Sequence, residues 1–199
     1  MSISSKQHRR SIRLPGYDYS QPGEYFITIC TYQRQRLFGQ IVNDQMRLNA
    51  LGLVVLDVWK KTPILRREIE LGSFVIMPNH FHAIVHILDA EEMPNADVMV
   101  EDENTLICGC RGTARRAPTD DGNKFEKFGK PVSGSIPTVV RAFKSAVTKQ
   151  INQIRNAPVA PIWQRNYYEH IIQTDREYLA IEAYIENNPA NWLVDKENR

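Results

Sequence analysis

Tyr25 to Tyr32 (YFITICTY) is a nearly unbroken run of aromatic and β-branched residues, the composition of a buried strand. Residues 40 to 48 (QIVNDQMRL) read as a short hairpin turning at Asn43-Asp44, residue types that accept the backbone of a tight turn. The period then changes. Leu51, Val54, Val55 and Val58 recur at helical spacing, so a helix is expected from an Asn49 cap to about Lys61, with Pro63 stopping it. Ile69 to Leu88 returns to strand character. Two apolar runs flank Met77-Pro78-Asn79, which predicts two strands joined by a tight turn.

The second half repeats these signals at lower density. Residues 89 to 135 show no sustained period and are rich in Gly, Pro, Asp and Glu; they read as an inserted, partly disordered loop. From Ile136 to about Arg155, Ile136, Val139, Val140, Phe143, Val147, Ile151 and Ile154 fall on one helical stripe. Residues 167 to 173 (YYEHIIQ) predict a strand. Thr174 or Asp175 can then cap a last helix running to about Asn187 or Asn188, where Pro189 limits it. Residues 1 to 24, punctuated by Pro15, Gly16, Pro22 and Gly23, read as a basic arm with turns. The order β, hairpin, α, β, β, insertion, α, β, α fits one α+β domain over 1–199, with helices on one face of a mainly antiparallel sheet.

Composition adds a partner class. The chain has 199 residues, 42% hydrophobic and 24% charged, the make-up of a soluble globular protein. No apolar run approaches the roughly 20 residues of a membrane helix. The basic N-terminus has no apolar stretch behind it, so no secretory signal and no membrane partner are expected. Cys30, Cys108 and Cys110 cannot all pair within one chain, which favours a reduced, cytoplasmic setting. The net charge of +2 hides an asymmetry. Seven of the 23 acids lie in residues 89 to 105, leaving 25 basic against 16 acidic residues elsewhere. A basic body fits a polyanion such as nucleic acid, and equally a solvated surface. At ~100° per residue, Arg141, Lys144, Lys149 and Arg155 cluster opposite the apolar stripe of their helix, where they can meet phosphates. Arg9, Arg10 and Arg13 of the arm can do the same.

The densest chemistry is Met77-Pro78-Asn79-His80-Phe81-His82-Ala83-Ile84-Val85-His86. Alternation on a strand points His80 and His82 the same way, about 7 Å apart along the backbone, while Phe81, Ala83, Val85 and Ile87 face the core. Two imidazoles on one side of a rigid strand can chelate a divalent cation. His86 shares the face but lies roughly 13 Å beyond His82. A His-x-His on a strand is also commonly structural. A third ligand has to come from elsewhere. On the last helix Tyr184 and Asn188 are spaced i, i+4 and share a face, so an Asn188 amide oxygen could complete the site and bring the Tyr184 phenol beside it. Tyr178 with Glu182 at i+4 is the rival pair, and Tyr168 a weaker one. Cys108-Gly-Cys110 is too tightly spaced for the usual zinc half-site.

These residues resemble the single-tyrosine HUH transposases, most closely the REP-associated tyrosine transposase branch. The resemblance covers nearly the whole chain: RLPGYDYSQPGEYFITICT, VIMPNHFHAIVHI, IPTVVRAFKSAVTK, WQRNYYEHIIQ and YIENNP. It implies a ferredoxin-like α+β sandwich. It also implies that His80 and His82 are metal ligands, Tyr184 the nucleophile, and Asn188 the third, amide-bearing ligand. The activity implied is metal-dependent nicking and joining of single-stranded or hairpin DNA through a 5′-phosphotyrosine, with Mg or Mn. Arg141, Lys144 and Lys149 would hold the DNA backbone, and Tyr167, Tyr168 and Trp163 could stack unpaired bases. Trp163 has a core role as an equal alternative. Both homodimers and monomers occur among such enzymes. A non-transposing HUH nuclease, a non-catalytic nucleic-acid-binding module, and a zinc protein using the histidines and cysteines are the competing readings.

Overall fold

The structure is a computed structural model that describes residues 17–89 and 132–198. Its main sheet has four strands: β1 (Gly23–Cys30), β4 (Ile69–Ile76), β5 (His80–Ile87) and β6 (Tyr168–Ile172), in the order β4-β5-β1-β6. Every pairing in it is antiparallel. With α1 (Ala50–Lys60) after the first strand and α3 (Ile136–Ile154) after the third, this is the ferredoxin-like connectivity. A small hairpin, β2 (Gly39–Val42) and β3 (Gln45–Leu48), lies between β1 and α1 as a separate two-stranded sheet. A one-turn helix, α2 (Thr62–Leu65), follows α1, and α4 (Asp175–Asn187) follows β6.

Local signals account for most boundaries. Asn43 and Asp44 both adopt positive φ, 51° and 58°, the geometry of a two-residue hairpin turn that matches strand twist. The Asn49 side chain accepts from the amides of Leu51 and Gly52 and starts α1. Thr174 caps α4 by accepting from the Glu177 amide. Strand β1 begins two residues earlier than expected, at Gly23. The expectation of an arm up to residue 24 also fails over 17–24. Tyr19 is buried in the core, and its carbonyl accepts from the Ile136 amide at the start of α3. Arg9, Arg10 and Arg13 of the arm, and Cys108 and Cys110, lie outside the described residues.

The sheet has two covered faces, which corrects the expectation that the helices share one. Tyr25, Ile27 and Ile29 of β1 and Phe81, Ala83, Val85 and Ile87 of β5 pack with Val55, Val58 and Trp59 of α1 and with the α3 stripe. Of that stripe Ile154 alone stands out, at 55% exposure, because the helix ends there. On the opposite face Phe26, Ile84 and Ile172 pack under Ile185 of α4, with Tyr178 and Ile181 at the margin. The reason is that this otherwise polar face carries an apolar strip, Phe26, Ile84 and Ile172, which α1 and α3 on the other side cannot cover. The second face is the one to which β5 turns His80 and His82. No described helix is long and apolar enough to cross a membrane.

Candidate active site

The turn before β5 sets the histidines. The Met77 amide donates to the His80 carbonyl at 2.8 Å. The Pro78 carbonyl accepts from the Phe38 amide, and the Asn79 carbonyl accepts from both the amide and the hydroxyl of Thr31. The turn is thereby tied to the chain that leaves β1. In register, His80 lies opposite Cys30 and His82 opposite Thr28. Both imidazoles are buried, 0% and 2% exposed, with ring centroids 4.5 Å apart.

Each ring is held by its Nδ1. The Asn79 Nδ2 donates to the Glu197 carbonyl at 2.8 Å, which turns Asn79 Oδ1 toward His80 Nδ1, also at 2.8 Å. An amide oxygen only accepts, so the His80 proton is on Nδ1 and its Nε2 is a bare acceptor. His82 Nδ1 lies 2.8 Å from Thr28 Oγ1, and Phe26 stacks against the ring at 5.4 Å. Burial holds the His80 pKa below its ordinary value, against the pull of the Asp195 carboxylate. Burial, then the neighbouring His80, holds that of His82 well below. Both rings are neutral at neutral pH and have lone pairs to offer.

The last helix and the segment after it close the site. Tyr184 Oη is 3.3 Å from His82 Nε2, with the rings at 5.2 Å. Tyr184 is 45% exposed, so its phenol stands at the mouth of a buried cluster. Burial foremost, with the Asp195 charge behind it, pushes that phenol up to about 12, while a hydrogen bond from Asn188 pulls the other way. Asn188 is the C-cap of α4, still helical at φ −59° and ψ −41°, and Pro189 does not turn it away. Its side chain is 1% exposed and lies against His80 and Tyr184.

Sequence reasoning missed Asp195. After a 3-10 turn at Trp192–Val194, the chain brings its Oδ2 to 3.4 Å from His80 Nε2. His80, His82 and Asp195 each offer a ligand atom, all within 4.8 Å of one another. His80 Nε2, Asp195 Oδ2 and Asn188 Oδ1 are buried acceptors without a hydrogen-bond partner among the described residues. Facing acceptors repel, and each costs free energy when buried without a donor. A cation resolves all three at once. Two neutral imidazoles, a carboxylate and an amide oxygen are a fitting donor set for a divalent metal. No periodic signal marks Asp195, because it sits on irregular chain seven residues past Asn188.

The rival residues lie elsewhere. The Tyr178 ring is 5.8 Å from His86, and Glu182 accepts from Ser73 Oγ at 2.8 Å, so this pair stands toward the other end of β5. Cys30, the register partner of His80, donates its thiol proton to Glu197. Tyr168 is exposed on the site face, edge-on to Phe26 at 6.3 Å. Tyr167 is engaged by Glu169 at 2.5 Å, and Trp163 packs against Phe38 and Phe143 in the core. Arg141 and Lys149 are exposed. Lys144, expected beside them on a solvated face, is instead drawn inward. Its Nζ donates to the carbonyls of Gln164, Arg165 and Asn166 at 2.8, 3.4 and 3.2 Å, and burial lowers its pKa to about 8. A helix face read from charge alone does not show that a neighbouring loop covers one member.

No family profile matches the chain. A REP-associated tyrosine transposase, solved bound to a REP hairpin, superposes with a TM-score of 0.51 at 18% identity, over 87% of this chain and 70% of that one. The fold is therefore that of a REP-associated tyrosine transposase, as the sequence resemblance implied. An uncharacterized protein of Haemophilus influenzae is 40% identical over 189 residues, covering 95% of this chain and 92% of the other. This chain belongs to one family with that Haemophilus influenzae protein.

Proposed function

We propose that the chain is a metal-dependent single-strand DNA endonuclease and strand transferase that acts on hairpin-forming DNA. The observation that carries this reading is a phenol 3.3 Å from an imidazole, beside a buried cluster of acceptors that have no hydrogen-bond partner among the described residues. His80, His82, Asn188 and Asp195 would hold Mg or Mn. When bound, the cation supplies Lewis-acid polarisation of the scissile phosphate and favours the ionised phenol. Tyr184 Oη attacks phosphorus in line. The bond from phosphorus to the 3′ oxygen breaks, that oxygen takes up a proton as a free 3′-OH, and the 5′ phosphate remains on Tyr184. The phosphotyrosine conserves the bond, so a DNA 3′-OH reverses the step and joins strands without a nucleotide cofactor. The hairpin in the structurally similar transposase supports a hairpin substrate here. Arg141 and Lys149 are exposed for phosphates and Tyr168 for an unpaired base, while the role of Lys144 is to fix the 164–166 loop.

Tyr184→Phe removes one exposed oxygen and keeps the ring. Incubated with hairpin oligonucleotides carrying single-stranded flanks and Mn, the wild type should form a covalent protein–DNA band stable to denaturation. Tyr184→Phe should form none while still binding DNA, and Tyr178→Phe should keep the band. A band that survives in Tyr184→Phe refutes the assignment.

A further inference from the structure

A groove of about 850 Å³ runs between the second half of α3 and the loop after it. That volume lies within the roughly 300–1,000 Å³ of small-molecule and cofactor sites. Pro158, Pro161, Ile162 and Trp163 form an apolar wall, and Thr148, Lys149 and Asn152 face them from the helix. Two of these residues are incompletely satisfied. Asn152 and Trp163 are 6% and 8% exposed, and Asn152 Oδ1 and Trp163 Nε1 have no partner among the described residues. One is an acceptor and the other a donor. Every charged side chain from residue 132 to 168 is basic, so nothing in this stretch repels an anion.

The groove is connected to the candidate active site. Its wall is hydrogen-bonded to the end of β1 and the residues just past it: the Gln164 amide donates to the Cys30 carbonyl at 2.9 Å, and the Tyr32 amide to the Ile162 carbonyl at 2.8 Å. Cys30 is the register partner of His80. The groove thus opens at the end of the sheet where the histidines stand, on the other side of it. Asn152 ties this wall to α3, its Nδ2 donating to the Ala160 carbonyl at 3.0 Å, and Lys144 anchors the three residues that follow the wall.

From these features we infer that the groove between α3 and the 156–163 loop binds an unpaired nucleotide of the DNA strand, its base against the Pro158 and Pro161 side of the wall and its phosphate on Lys149. A base edge carries both donors and acceptors and suits the Asn152 and Trp163 pair, which a phosphate alone would not. The apolar wall suits a base face, as in sequence-tolerant single-strand sites. This inference rests on the nucleic-acid reading above and adds the place where the unpaired strand is held.

The test uses the full chain in EDTA, so that no cleavage intervenes, and a dT12 oligonucleotide with one central 5-iododeoxyuridine. After irradiation and trypsin, the cross-link should map to the peptide 156–165, which Arg155 and Arg165 bound. Lys149→Glu should weaken dT12 binding on the order of tenfold and flatten the log–log salt slope by about 0.7 or more, while Lys149→Arg restores both. Cross-links confined to other peptides, or an unchanged salt slope in Lys149→Glu, overturn the groove. If the Tyr184 adduct still forms with hairpin DNA, that failure leaves the nuclease reading standing. Loss of the adduct and of all DNA binding would remove both.

Discussion

Asp195→Asn should stabilise the metal-free protein and shrink its stabilisation by metal. Asp195 Oδ1 accepts from the Glu197 amide at 2.8 Å, and an asparagine keeps that bond with its own Oδ1. The substitution therefore places an NH2 donor where Oδ2 now faces the bare His80 Nε2 at 3.4 Å. A buried acceptor without a partner costs about 1–3 kcal/mol, and here one new hydrogen bond satisfies the imidazole and removes the opposing oxygen. At about 2–4 °C per kcal/mol for a protein of this size, the metal-free melting temperature should rise by roughly 2–12 °C. The stabilisation by metal should shrink. Loss of the carboxylate from the ligand set should weaken metal binding by at least the roughly 10–100-fold seen when a ligand's outer partner is lost. A metal at 100 times its Kd stabilises by about 2.7 kcal/mol, and a 100-fold weaker site loses most of that. The assay is thermal unfolding of wild type and Asp195→Asn, in EDTA and across a Mn titration. A variant that melts lower than wild type in EDTA, with an unchanged Mn-dependent shift, refutes the argument that these acceptors await a cation.

Two further predictions follow from burial. His80→Gln and His82→Gln should each abolish metal-dependent cleavage, while His86→Gln, whose ring is near Glu24 and Tyr178 rather than the pair, should keep more than half of it; alanine is the poorer choice at the pair, since emptying a fully buried site costs about 2–4 kcal/mol by itself. Lys144 has a folded pKa of about 8, below its ordinary 10.5, because of burial. The unfolded chain therefore holds the extra proton between those values, and stability gains from this group as pH rises from about 8 to 10.5. The melting temperature of wild type minus that of Lys144→Met should climb between pH 7.5 and 10, and a flat difference would show that the ammonium is not desolvated.

What the sequence made legible divides along a physical line. Local signals carried the elements: the Asn43-Asp44 turn, the Asn49 and Thr174 caps, and the strand that sets His80 and His82 on one side all depend on residues near one another in the chain. The i, i+4 geometry of Tyr184 and Asn188 likewise placed both on the helix face that meets the histidines. Which face of the sheet a helix covers is a long-range fact, and α4 was misplaced for that reason. Lys144 is similar, since its charge pattern belongs to α3 but its partners are carbonyls twenty residues on.

Asp195 shows why a site can be half readable. Its position depends on the C-terminal segment folding back over β5, and the contacts that hold it there are scattered. Arg34 meets Glu197 by both carbonyl and carboxylate, Arg36 meets Asn198, and Asn79 meets the Glu197 carbonyl. Trp192 is buried beside His80, with ring centroids 6.0 Å apart. None of these pairs has a period, and each partner is more than a hundred residues away in the chain. The same Asn79 that joins this clasp fixes the tautomer of His80 through its Oδ1. Seating the tail and presenting the His80 lone pair are therefore one structural event, and a substitution at Asn79 should disturb the proposed metal site and the C-terminal segment together.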